Sequence, residues 1–209
     1  MNAAEWISAI AGVISAIGIV FLWIQTNHLR REIEQDHERS RREKAVDLIL
    51  TWTERLERQT SSARKLVEIL PDTAIVDLVA ERPIRVQKDR LGLLLSCLGD
   101  TAKRAAIDDK SGMILLDEQA VSTIRWQAMT YLNTLEAVLT SWHHNVADRD
   151  MIAEQFGYLV DQTKGYNALE RFRATCGGPL VFPGITMFAE ELKKRQNKVL
   201  EGKPSLGKG

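Results

Sequence analysis

From Trp6 to Asn27 the chain reads "WISAIAGVISAIGIVFLWIQTN", 22 residues without a charge between Glu5 and His28. No other feature constrains the fold as much. An α-helix rises about 1.5 Å per residue, so a bilayer core of about 30 Å takes about 20 apolar residues. Six Ile, two Val, one Leu and one Phe occupy the run. On an insertion scale those ten contribute about −3 to −6 kcal/mol, part of which Ser and Gly take back. Trp6 and Trp23 stand 17 residues apart, about 26 Å along a helix, which suits one indole at each interface. A cleaved export signal wants a positive start, and here Glu5 precedes the run. A core helix of this length needs a large domain around it, whereas a very polar stretch follows. The run is therefore expected to cross a membrane.

Charge sets the expected orientation. Arg30, Arg31, Arg39, Arg41, Arg42 and Lys44 follow the run, and no Lys or Arg precedes it. Under the positive-inside rule, residues 1–5 face outward and the rest of the chain faces the cytoplasm, in the inner membrane. Trp6, Trp23, Arg30 and Arg31 are the expected interface residues. Cys97 and Cys176 are too few for a disulfide scaffold and belong to no metal-ligand cluster.

Within the run, Ser8, Ala11, Ser15 and Gly18 fall at 3,4 spacing, and Ser8–Gly12 and Gly12–Ala16 are small-xxx-small pairs. Small residues let membrane helices approach closely, so a homo-oligomer through this face is expected. The competing reading is that Ser and Gly are simply tolerated there, with hydroxyls bonded to the i−4 carbonyl.

Residues 28–44 form a charged juxtamembrane helix. The part "RREIEQDHERSRREK" holds six basic and five acidic residues and a single aliphatic one, Ile33. It has no stripe to bury. Glu38–Arg42 and Arg39–Glu43, four apart, support a solvated helix by a few tenths of a kcal/mol each.

Residues 45–199 are expected to form a cytoplasmic bundle of about five helices, and 200–209 a disordered tail. Val46, Ile49, Thr53, Leu56, Thr60, Ala63, Val67 and Leu70 share one helical face, ended by Pro71. "DTAIVDLVAE" gives a short helix. Leu91, Leu94, Leu98, Ala102 and Ala105 mark another, stopping near "DDKSG". Asp117 caps a helix that buries Val121, Ile124, Ala128, Tyr131, Leu135, Val138 and Trp142. Asp148 caps the next, with Ile152, Phe156, Leu159, Thr163 and Tyr166 inward. After the break "CGGPLVFPG", Pro183 opens the last helix. No sustained period-two alternation is present, so the expected class is all-α.

The net charge is zero, which gives no electrostatic footprint for nucleic acid. His143 and His144 are adjacent, so on a helix they point about 100° apart and do not share a metal. "CGGPLVFPG" lacks the lysine and spacing of a phosphate loop. No nucleophile elbow, zinc-protease motif or paired-carboxylate pattern occurs. No catalytic residue, cofactor or metal is expected.

The segment from "YLNTLE" at Tyr131 to "FAEEL" near Leu192 carries a likeness. It includes an acidic helix start at Asp148–Asp150 and the aromatic Tyr166 before "RFR". In these features the chain resembles the bacterial family known as domain of unknown function 4760. The resemblance implies an architecture: a membrane helix, a charged helix, then a helical domain. The sequence thus leads to a membrane-anchored interaction or sensor module that meets a cytoplasmic protein or a small ligand. The other expectation is an oligomeric membrane-perturbing effector of an antiviral or self-limiting system.

Overall fold

The structure is a computed structural model. It describes residues 2–99, 106–108, 111–160 and 168–201; at 3–5, 7–11, 13–17, 106–108, 196 and 199–201 it describes the backbone alone. The fold is mostly helical, in keeping with the expected class. One helix, α1, runs unbroken from Ala3 to Arg55 over 53 residues. It contains no Gly or Pro after Gly18 to interrupt it. The expected ion pairs form on its surface: Arg39–Glu43 at 3.0 Å and Arg42–Glu38 at 3.8 Å.

The chain then folds as α2 (Arg58–Ile69), α3 (Asp72–Val79), β1 (Ile84–Gln87), α4 (Leu91–Leu98), β2 (Ala106–Asp108), β3 (Met113–Leu116), α5 (Glu118–His143), α6 (Arg149–Phe156), α7 (Glu170–Thr175) and α8 (Pro183–Glu201). Helix α5 is the central post, packing against α1, α2, α3, α4, α6, α8 and β3. Each expected inward residue of α5 is buried, and Ala120, Leu132 and Leu139 widen the apolar surface. Both expected caps are present. Asp117 Oδ1 accepts from Ala120 N at 2.9 Å, and Asp148 Oδ1 accepts from Asp150 N and Met151 N at 3.1 and 3.0 Å. Pro183 opens α8.

Four local expectations are corrected. A small antiparallel sheet exists, in the order β1-β3-β2. Ile84 faces Leu116, Gln87 faces Met113 and Ile107 faces Ile114. Its three strands have only three or four residues each, too few for alternation to stand out. Second, residues 46–70 are not one helix. Glu57 takes an extended conformation (ψ 155°) and starts α2 afresh. Ala45 and Trp52 are buried on α1, while Val46 and Thr53 are exposed. Third, α4 ends at Leu98, where Gly99 adopts φ +56°. Ala102 and Ala105 lie outside the described residues, as do Thr163, Tyr166 and positions 202–209 of the expected tail. Fourth, seven helices rather than about five follow α1 among the described residues.

Candidate functional site

Helix α1 docks on the bundle through its last turns only. The Arg41 carbonyl accepts from Asp148 N at 3.0 Å, and Arg42 Nε lies 3.7 Å from Asp148 Oδ2. Trp52 wedges between Tyr131 and Phe156, with ring centroids 5.4 and 5.3 Å away. From Gly18 to Ser40, by contrast, every residue but Asn27 is exposed.

Three of the expected interface residues, Trp23, Arg30 and Arg31, fall on this undocked length, and Trp6 lies before it. Trp6 is 57% exposed and Trp23 67%, and Arg30 and Arg31 are exposed beyond them. Between the two indoles lie the small residues. At 100° per residue, Ser8, Ala11, Gly12, Ser15 and Gly18 occupy an arc of about 120°. A Cβ placed on Gly12 or Gly18 would meet nothing within 4 Å. The side chains of Ser8, Ala11 and Ser15 lie outside the described residues. Ile19, Val20, Phe21, Leu22, Trp23 and Ile24 are all exposed, and six successive residues go more than once around the helix. Among the described residues no helix is long and apolar enough to cross a membrane. The side chains at 7–11 and 13–17, ten of the 22 in the expected span, are outside that set.

The bundle contains buried polar groups, of which the sequence did not single out Arg173. Arg173 is 9% exposed and its Nε donates to the Ala168 carbonyl at 2.9 Å. Burial lowers its pKa, and the Glu170 and Glu136 carboxylates oppose that shift. It lines a cleft of about 310 Å³ between α7 and α8 together with Glu170, Thr186, Glu190 and Lys193. Two acids and two bases share that lining, so it has no net ionic preference. Tyr131 is buried with its hydroxyl unpartnered among the described residues, and burial raises its pKa. Arg173 escaped notice because "ERFRAT" reads as an ordinary polar helix; only a charge at an inward position could have flagged it.

His143 and His144 are both exposed at the end of α5, with ring centroids 5.1 Å apart and planes at 76°. Among the described residues no group of three His, Cys, Asp or Glu is placed to hold a metal ion. Cys97 is 2% exposed, and burial pushes its thiol up to about 12. A buried, protonated thiol is a poor nucleophile. No family model, no curated protein and no solved structure matches the chain.

Proposed function

We propose that the protein is a single-pass, membrane-anchored recognition module. Residues 6–27 cross the inner membrane with the N-terminus outside. The charged part of α1 holds the bundle off the cytoplasmic face, where it engages a protein or small ligand without catalysing a reaction. Kinship with the domain of unknown function 4760 family, carried by residues 131–192, belongs to the same proposal.

One observation carries this reading: the continuous exposure of Ile19–Ile24 around the whole circumference of α1. A partner groove covers one stripe of a helix. Apolar side chains facing every direction call for an apolar solvent on every side. Leaving six such side chains in water forgoes about 1.5–3 kcal/mol each, on the order of 10 kcal/mol together. The flanking Trp6, Trp23, Arg30 and Arg31 suit the two interfaces and the orientation.

The test is fractionation of the full chain with a C-terminal fluorescent reporter. The reading expects membrane retention after an alkaline wash and fluorescence in the cytoplasm. Recovery in the soluble fraction removes the anchor, and a reporter active only in the periplasm reverses the orientation. Replacing residues 1–27 by an unrelated single-pass helix should preserve function. Lost function despite correct insertion would eliminate the passive tether.

A further inference from the structure

A cleft of about 360 Å³ opens beside β1, the α2–α3 junction and α7. Among the described residues its ionic lining consists of Arg85, Arg90 and Arg171, with no carboxylate. Each arginine arrives for a separate local reason. β1 alternates, burying Ile84 and Val86, so Arg85 and Gln87 face outward. Arg90 closes the 3-10 turn Lys88–Arg90 that leads into α4. Arg171 comes from the first turn of α7, far along the chain.

The arginines differ in what already holds them. Arg171 is fixed at the rim: Nη1 donates to Asp72 Oδ1 at 3.0 Å and Nη2 to the Glu68 carbonyl at 2.6 Å. Arg90 Nε lies 3.3 Å from Asp89 Oδ2, with Arg90 half-buried and Asp89 exposed. Arg85 makes no ion pair or hydrogen bond among the described residues. Asp72 and Asp89 stand outside the lining. Like charges gathered around one concavity repel one another and favour an anion among them. Guanidinium forks match phosphate oxygens two at a time. Gln87 is also in the lining, and the accessible apolar surface comes from Ile69, Pro71 and Met113, Leu70 and Val86 being buried behind it. The volume lies in the range of small-ligand sites.

We infer that this cleft binds a small phosphate monoester with an apolar body. The phosphate sits among Arg85, Arg90 and Arg171, and the body lies on Ile69, Pro71 and Met113. A soluble compound and a lipid headgroup both present this chemistry. Placement favours the soluble source. Helix α2, whose end lines the cleft, stacks Arg64 over Tyr131 at 5.9 Å, and Tyr131 packs on Trp52. Trp52 is 25 residues beyond Asn27, about 38 Å along α1.

The experiment is calorimetric titration of the full chain, in zwitterionic detergent, with phenyl phosphate. Binding in detergent does not depend on insertion, so this inference and the anchor stand or fall separately. The expected result is saturable binding tighter than about 1 mM. It weakens at least about tenfold in the Arg85→Ala/Arg90→Ala double variant, whose melting temperature stays close to the parental value because Arg85 is exposed and Arg90 is held only by a solvent-facing ion pair. Arg171→Lys keeps the charge, loses the fork and also weakens binding. A parallel arm places the protein in nanodiscs with and without phosphatidic acid. An absence of saturable phenyl phosphate binding, or equal binding by the double variant, overturns the proposal. Arginine-dependent capture of phosphatidic acid without phenyl phosphate binding overturns the soluble source.

Discussion

Glu136 and Gly184 meet across the α5–α8 interface so closely that no side chain fits between them. Gly184 N donates to Glu136 Oε1 at 2.6 Å, while Ile185 N donates to Oε2 at 2.9 Å. A Cβ on Gly184 would lie 2.9 Å from that Oε1, 2.8 Å from Thr140 Oγ1 and 3.0 Å from Thr140 N. A residue in the middle of one helix thus caps the start of another, satisfying two N–H groups that an isolated helix leaves open.

Gly184→Ala should therefore destabilise the bundle by about 2 kcal/mol, since the Thr140 backbone does not yield cheaply. At about 2–4 °C per kcal/mol for a chain of this size, the melting temperature falls by about 4–8 °C. Glu136→Ala should cost about 1–3 kcal/mol by orphaning the two donors, and Glu136→Gln less. Calorimetric melting of the three variants checks the order; a Gly184→Ala protein that melts with the parent contradicts the contact.

Trp52 ties α1 to the bundle. Trp52→Ala should cost about 3–5 kcal/mol, because it removes a buried indole that touches both Tyr131 and Phe156. The loss should be local first. Limited trypsin digestion is expected to cut faster at Arg55 and Arg58 in the variant, while cleavage at the already exposed Arg30 and Arg31 is unchanged. Equal rates at all four sites would show that the indole is not the clasp.

The two cysteines should label in sequence. Burial raises both thiols, that of Cys97 to about 12, whereas Cys176 is half-exposed with Arg125 opposing its shift. At pH 8 the Cys97 thiolate is scarcer than an ordinary one by about a thousandfold. Native protein should take up one equivalent of maleimide, and the second only in denaturant. The folded state holds the Cys97 proton more tightly than the unfolded chain does. Its contribution is complete below the ordinary thiol value of about 9 and declines as pH rises from there through about 12. Simultaneous labelling of both thiols in native protein would refute this.

Gly12→Leu isolates association between copies. Among the described residues nothing lies within 4 Å of a Cβ at Gly12, so a side chain can leave the helix there. Any change in self-association then arises between chains. If the small-residue arc joins helices, crosslinked dimer yield in membranes falls while insertion is retained or improved, leucine being more apolar. An undiminished yield removes that arc as the contact.

Signals that act within a few residues were readable directly. Asp117, Asp148 and Pro183 each mark a helix start through their own side chain or ring, and the inward set of α5 repeats for about six turns. Contacts between distant segments left no such mark. Glu136 looks like one more acid on an amphipathic helix, although its partners are 48 and 49 residues away. The α1–α2 break fell inside an uninterrupted 3,4 pattern, because Leu56 and Glu57 carry no turn chemistry of the Gly or Pro kind. The arginine cleft had a faint sign in "RPIRVQKDR". Only the fold adds Arg171 and, among the described residues, leaves Asp72 and Asp89 outside the lining.

The unbroken course of α1 makes it a lever with one fulcrum. Its grip on the bundle lies between Arg41 and Trp52, and no glycine or proline between His28 and Arg55 offers a hinge. Rotating such a rod by about 10° about its docked end displaces a point 25 residues away by about 6 Å. Whatever tilts one end of the helix therefore swings the other as a rigid arm, and its direction is handed to α5 where the Trp52 ring meets Tyr131 at a 58° tilt.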